Sequence, residues 1–265
     1  MVEKTLVFHF YVPCDYKENS AIRMHLECLK MYSHVFNHAI FIISVDDKTI
    51  HFVEEVEKDL ICCGFSGDVR FVVSENDAYC EARTFNEWIY KKLNHYDGLV
   101  FFGHTKGVTN VVKYSDYSEN TMQWIFALYF YSFEFIEEME AKMIFAAFGY
   151  FRTFFGPLLM KCPQVDGVDS ETAHYPGTFY WMNTKRLYDD IESGRAKKMS
   201  FKDRFFAEEI PTSYKFYDYA ENLDSRMSMW MNHTDLYHCD FSEIIKFYGD
   251  YDLFYEKYNE IRKNI

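Results

Sequence analysis

The feature that most limits the folds open to this chain is an alternation. Four apolar runs are separated by three helical patterns over the first hundred residues. "TLVFHFYV", starting at Thr5, is closed by Pro13. "HAIFIISVDD" ends on Asp46 and Asp47, "DVRFVVSEND" ends on Asp77, and "DGLVFFGHTKG" ends on Gly107. Between them lie "SAIRMHLECLKMYSHVF", behind a Ser20 cap signal, then "TIHFVEEVEKDLICCG", stopped by Gly64, then "YCEARTFNEWIYKKLNHY". No tight hairpin signal joins any two runs. Parallel strands need crossover connections, and these are right-handed. The pattern therefore predicts an α/β fold with a mostly parallel central sheet and helices on both faces.

Beyond Gly107 the rhythm changes. A loop carrying Tyr114, Asp116, Tyr117 and Ser118 leads to helical patterns over 119–140 and 141–155. Next come a loop, a short aromatic strand around "TFYW" and a helix through "TKRLYDDI". "SFKDRFFAEEIP" reads as a helix ended by Pro211, and the tail from Asp240 is a helical polar–aromatic pattern. No repeat and no Pro/Gly/Ser linker divides the chain. One domain is expected over 1–265, with residues 1–110 as one half and a helical, aromatic-rich 111–265 as the other.

Charge narrows the partners. A formal net charge of -13 repels a phosphate backbone, so no nucleic-acid partner is expected, although a local cationic patch can hold one small anion. Seven cysteines with no CxxC spacing read as reduced thiols, with neither a zinc site nor a disulfide framework. The start "MVEKTLVFHFYV" has no long apolar core, so no signal peptide is expected. The longest uncharged stretch, "NTMQWIFALYFYSF", falls short of the roughly 20 residues a span needs. These points predict a cytoplasmic protein. The aromatic segment from Trp124 to Met160 reads first as a core-packing helix pair, with peripheral contact with an inner membrane, or a homodimer, as the alternatives.

In open α/β sheets, ligands bind outside the carboxyl ends of the strands. There the four runs end in Cys14-Asp15-Tyr16, Asp46-Asp47, Ser74-Glu75-Asn76-Asp77 and His104-Thr105-Lys106. Residues two apart on a strand share a face, so His104 and Lys106 are expected to project together. Gly103 and Gly107 leave room for a ligand or another backbone. An ammonium beside an imidazole suits an anion, a diphosphate first of all. The same residues also suit a surface turn, with Lys106 solvated and His104 capping a backbone group. His-x-Lys also serves phospholipase D-type phosphotransfer, but that chemistry needs an aspartate where Val111 stands here, and no second copy occurs.

The order "YDGLVFFGHTKG", "MQW", "HYPGTFYWMNTKRL", "RFFAEEIP" resembles a group of bacterial polysaccharide glycosyltransferases, related to rhamnan-synthesis and capsule or lipopolysaccharide enzymes. In that group a strand ends in HTKG or HTKK, a later Gly-aromatic strand precedes a helix, and an Arg…Glu helix follows. The match spans roughly residues 5–215. The resemblance implies a GT-A-like fold, a nucleotide-sugar donor and a saccharide or lipid-linked acceptor. GT-A enzymes ordinarily carry Asp-x-Asp, which holds a divalent cation, where this chain has His104-Thr105-Lys106. An ammonium cannot ligate a metal. Leaving-group stabilisation by Lys106 and His104 without a metal is therefore the expectation, with Mg²⁺ or Mn²⁺ kept as the alternative.

The same resemblance assigns further residues. Asp46 or Asp47, Asn76 and Arg83 fall on the donor side. Gly177 falls where a sugar would approach, with Tyr180 and Trp181 as acceptor platforms. Glu208 is the first choice for the base that takes the acceptor proton, Glu209 the second and Asp203 the third, with Arg204 on the same helical face as Glu208. Each also fits a bland role: turn carboxylates, a buried core strand, a solvated Arg–Glu helix face. Another nucleotide-dependent transferase on the same scaffold, or a non-catalytic scaffold subunit, fits the same features.

Overall fold

A computed structural model describes residues 2–105, 107–109, 118–143, 148–150, 158–160, 172–174, 178–196, 198–201, 206–207, 217–218, 242, 245–246 and 250–265. The expected strand–helix alternation is present. Strand β1 (Lys4–Tyr11) leads to helix α1 (Ser20–Tyr32), β2 (His38–Val45), α2 (Val53–Ile61), β3 (Asp68–Glu75), α3 (Cys80–Trp88) and β4 (Leu99–His104). Asn19 caps α1 by accepting from the Ile22 amide. Gly64, past the end of α2, takes the left-handed conformation at φ +78° that ends helices without a Cβ clash.

Parallel pairing joins these four strands in the order β3-β2-β1-β4. The second half then extends the same sheet. Helix α4 (Ser118–Phe133) and helix α5 (Ile136–Met143) are followed by β5 (Phe148–Tyr150). Among the described residues, two three-residue strands, β6 (Leu158–Met160) and β7 (Thr172–His174), pair with each other. Strand β8 (Tyr180–Asn183) lies antiparallel between β4 and β5, helix α6 (Thr184–Glu192) follows it directly, and β9 (Tyr217–Asp218) closes the edge beside β5. Helix α7 (Tyr251–Arg262) ends the chain. The sheet therefore has seven strands among the described residues, parallel throughout its first four.

Alternation along the strands sorts the core into two layers. Leu6, Phe8, Phe10, Phe41, Phe101 and Trp181 face α1, α2, α4 and α7. Val7, Ile42, Val100, Phe102, Tyr180 and Met182 face α3 and α6. Helices therefore cover both faces, and β1 and β4 are buried along almost their whole length. The five described cysteines, Cys14, Cys28, Cys62, Cys63 and Cys80, are free thiols. Among the described residues no helix is long and apolar enough to cross a membrane.

One element departs from expectation. The helical pattern over 141–155 yields instead to β5, because Phe148 and Gly149 pair with Met182 and Trp181 across the sheet. Aromatic residues flanking a glycine suit a pleated strand at least as well as a helix, and tertiary pairing decides.

Candidate functional site

The order β3-β2-β1-β4 reverses between β1 and β4. Strand β1 connects outward to β2 and β3, and the chain then crosses back to lay β4 on the other side of β1. Such a switch point leaves a crevice beyond the carboxyl ends of the two strands. His104 is the last residue of β4, and its register partner on β1 is His9.

Both histidines belong to the layer under α3. On β1 that layer runs Val7, then His9; on β4 it runs Val100, Phe102, then His104. The antiparallel register Phe102↔Tyr180, continued by two residues, sets Thr178 across from His104. Thus one polar row, His9–His104–Thr178, replaces the apolar layer at the carboxyl edge. All three residues are buried.

Helix α3 packs Ala82 and Phe85 onto the apolar part of this face, which brings its polar residues over the row. Thr84 Oγ1 lies 2.8 Å from His9 Nδ1. Glu81 Oε1 lies 3.7 Å from His104 Nδ1, an ion-pair approach longer than a hydrogen bond. Burial drives the His9 pKa down from 6.5 to about 4, against the pull of the Glu81 and Asp77 carboxylates, so His9 is neutral at pH 7. On the other side, the His104 ring stands 6.0 Å from that of Phe179.

Thr105 seals the two strand ends together. Its amide donates to the His9 carbonyl at 3.1 Å. Its Oγ1 accepts from the Tyr11 amide at 2.9 Å and reaches the Tyr11 carbonyl at 3.3 Å. The middle residue of His-Thr-Lys is thus a clamp between β1 and β4. The flanking glycines have packing reasons rather than a ligand's approach. A Cβ on Gly103 would come within 3.0 Å of the Phe8 ring. Gly107 sits at φ +82°, and a Cβ there would meet Thr121 Cγ2 at 2.9 Å. Lys106 lies outside the described residues, as do Gly177, Asp203, Arg204, Glu208 and Glu209.

The donor-side candidates surround the same edge. Asp46 closes the turn after β2: its Oδ1 accepts from the Lys48 amide at 2.9 Å and from the Thr49 amide at 3.1 Å. Asp47 is exposed beside it. The Asn76 amide donates to the Val45 carbonyl at 2.7 Å, and Asn76 Oδ1 faces Ser44 Oγ at 3.5 Å. Arg83 Nη1 pairs with Asp77 Oδ2 at 2.6 Å, and its guanidinium lies 5.3 Å from the centre of the Tyr79 ring.

Tyr180 and Trp181 are core residues, which corrects their expected part as acceptor platforms. Each is 1% exposed. The Tyr180 hydroxyl donates to the Ala207 carbonyl at 2.9 Å, and Trp181 Nε1 donates to the Ser132 carbonyl at 2.9 Å. Phe36 stacks 5.7 Å from Trp181. A ring packed on both faces has none left for a sugar.

Four residues at this edge escaped the sequence reading. Glu81 reaches His104 only because of how α3 is rotated. His9 looked like one more residue of an apolar strand, although period-two alternation, applied from Val7, would have put it on the His104 face. Thr178 Oγ1 is buried and finds no hydrogen-bond partner among the described residues, where such a group ordinarily has one. Tyr11 ends β1 half-buried, and its hydroxyl is pushed above the usual range by burial first and then by Asp46, Cys14 and Asp15. Among the described residues no group of three or more His, Cys, Asp or Glu is arranged to hold a metal ion. No protein-family model matches the chain, and no curated protein matches it in sequence.

Proposed function

We propose that this chain is a glycosyltransferase that moves a sugar from a nucleoside-diphosphate donor to a surface-polysaccharide or lipid-linked acceptor. The observation that carries the reading is the position of His104, at the carboxyl end of β4 beside the β1–β4 switch point. The parallel β3-β2-β1-β4 half is the arrangement that binds mononucleotides in doubly wound folds. The ordered match to the polysaccharide-transferase motifs, which implies a GT-A-like architecture, supports the same reading.

In this scheme the diphosphate lies over the β1 and β4 ends, with His104 and Lys106 supplying positive charge to its oxygens. Asp46, Asn76, Arg83 and the half-buried Tyr11 border the base and ribose. The acceptor oxygen attacks the anomeric carbon. The bond from that carbon to the diphosphate oxygen breaks, its electron pair leaves with the nucleotide, and the Glu208 carboxylate takes the acceptor proton, with Glu209 as the alternative base. Fixed positive charge aimed at the leaving group acts most strongly as charge develops there.

The test is thermal stabilisation of the whole chain by UDP, GDP and dTDP, with EDTA and with Mg²⁺ or Mn²⁺. A nucleotide at a hundred times its Kd should stabilise by about 2.7 kcal/mol. Stabilisation in EDTA by at least one of the three is the expected result. Stabilisation that needs the cation would remove the metal-independent scheme; none under any condition would remove the nucleotide reading and favour a scaffold subunit.

A further inference from the structure

We propose that Glu81 is a positioning residue: it holds the His104 imidazole oriented and protonated, so that this ring carries positive charge toward the donor diphosphate. The inference rests on the nucleotide-sugar reading and adds to it a residue and a pH dependence.

The acids at this edge are divided between two partners. Asp77 and Glu81 both stand near the start of α3. Asp77 takes the Arg83 guanidinium at 2.6 Å, whereas Glu81 faces His104 Nδ1 at 3.7 Å. A carboxylate this close to an imidazole favours its charged form. The side chains of both Glu81 and His104 are largely shielded, 17% and 10% exposed, so water screens the pair weakly.

Among the described residues, the groups beside His104 in this layer are compatible with a proton on its ring. From β1 comes His9, which burial keeps neutral at pH 7. From α3 comes Glu81; from the β8 side come Thr178 and Phe179, which do not titrate. Two residues past the end of β4 the sequence carries Lys106, outside the described residues. With His9 neutral, no like charge on β1 opposes a proton on His104. The Thr84 hydroxyl engages His9, not His104, which leaves the Glu81 side of α3 to the second ring.

The backbone at this point is itself unusual. Cys80, directly before Glu81, has φ +47°, a left-handed conformation that costs a residue with a Cβ about 1–2 kcal/mol. Strain of this kind persists where the surrounding structure over-determines it, and it clusters at functional sites. Here it falls on the first residue of α3, next to Glu81.

The test follows the His104 ring directly. Imidazole resonances of the full chain are assigned with His104→Gln and titrated by NMR in the wild type, Glu81→Gln and Glu81→Asp. The expected result is a His104 midpoint about one pH unit lower in Glu81→Gln, with most of the shift restored in Glu81→Asp. In parallel, UDP, GDP and dTDP are titrated calorimetrically at pH 8.0 and pH 5.5. Glu81→Gln is expected to weaken the best of the three about tenfold at pH 8.0 and not to weaken it at pH 5.5, where the ring is protonated in both proteins. An unchanged His104 midpoint in Glu81→Gln overturns the positioning role, whether or not a nucleotide binds. A midpoint that moves while the wild type binds none of the three nucleotides at either pH overturns the nucleotide reading and leaves the Glu81–His104 coupling standing.

Discussion

At the scale of single residues, two histidines one strand apart are expected to behave oppositely. His9 is buried, and its pKa falls from 6.5 to about 4. The unfolded chain therefore takes up a proton near pH 6.5 that the native protein refuses until about pH 4. The His9 contribution to stability is complete above the unfolded value. It is lost progressively as pH falls toward 4 and is constant below that, since both states are then protonated. The full swing is roughly 3 kcal/mol at most, from the size of the shift. Urea unfolding between pH 7.5 and 4 should show a steeper acid-side decline for the wild type than for His9→Gln, whatever the variant's absolute stability. Parallel curves for the two proteins would mean that His9 is protonated in the native state.

At the scale of elements, the start of α3 offers a second test. Cys80 holds φ +47°, and among its contacts its thiol lies 3.4 Å from the Asp77 carbonyl, a weak hydrogen bond. Glycine adopts that φ without a Cβ clash but raises the entropy of the unfolded chain. The balance favours Cys80→Gly by about 1 kcal/mol, or roughly 2–4 °C in Tm for a chain of this size. A lower Tm, read by differential scanning calorimetry, would show that the thiol contact outweighs the strain. The elements themselves were largely legible. Apolar runs of strand length, helical spacing between them and the missing hairpin signals were enough for β1 to β4 and α1 to α3, because local pattern and tertiary environment agree there. They disagree at Phe148–Tyr150, where pairing with a strand more than thirty residues further on overrides a helical pattern. The candidate site was legible only where it depends on chain order. His104 at a strand end follows from the sequence, whereas Glu81 beside it depends on the rotation of α3, which no local pattern specifies. Tyr180 and Trp181 went the other way. A strand with helices on both faces and strands on both edges buries successive side chains alike, so neither ring reaches a ligand.

At the scale of the whole molecule, the carboxyl-terminal helix packs on α4 of the second half and on α1 of the first. Helix α7 crosses α4, whose amino end follows the segment leading away from His104. Phe254 is fully buried, with the Phe126 and Phe130 rings 4.9 and 5.3 Å away. Polar contacts pin both ends of α4. Glu119, in its first turn, accepts from the Tyr258 hydroxyl and pairs with Arg262 Nη2 at 3.0 Å, while Glu134, just past its last turn, takes Lys257 at 2.9 Å. The Tyr258 hydroxyl is pushed well above its usual range by burial and then by its hydrogen bond to Glu119, so it stays a neutral donor. Ion pairs that solvent reaches, as it partly does both of these, contribute little each, so the aromatic contact must carry the brace. Phe254→Ala removes a buried ring between two others and should cost about 3–5 kcal/mol. That corresponds to a drop of roughly 10 °C in Tm. Arg262→Ala should cost less than about 1 kcal/mol. If α7 only decorates the surface, the two variants will melt together, close to the wild type. If it braces α4, Phe254→Ala alone will melt early, and proteolysis of that variant below its Tm will begin around α7 and α4 while β1 to β4 stay protected. A nucleotide bound at the β1–β4 edge should then raise the Tm of Phe254→Ala as much as that of the wild type, since among the described residues Phe254 touches nothing at that edge.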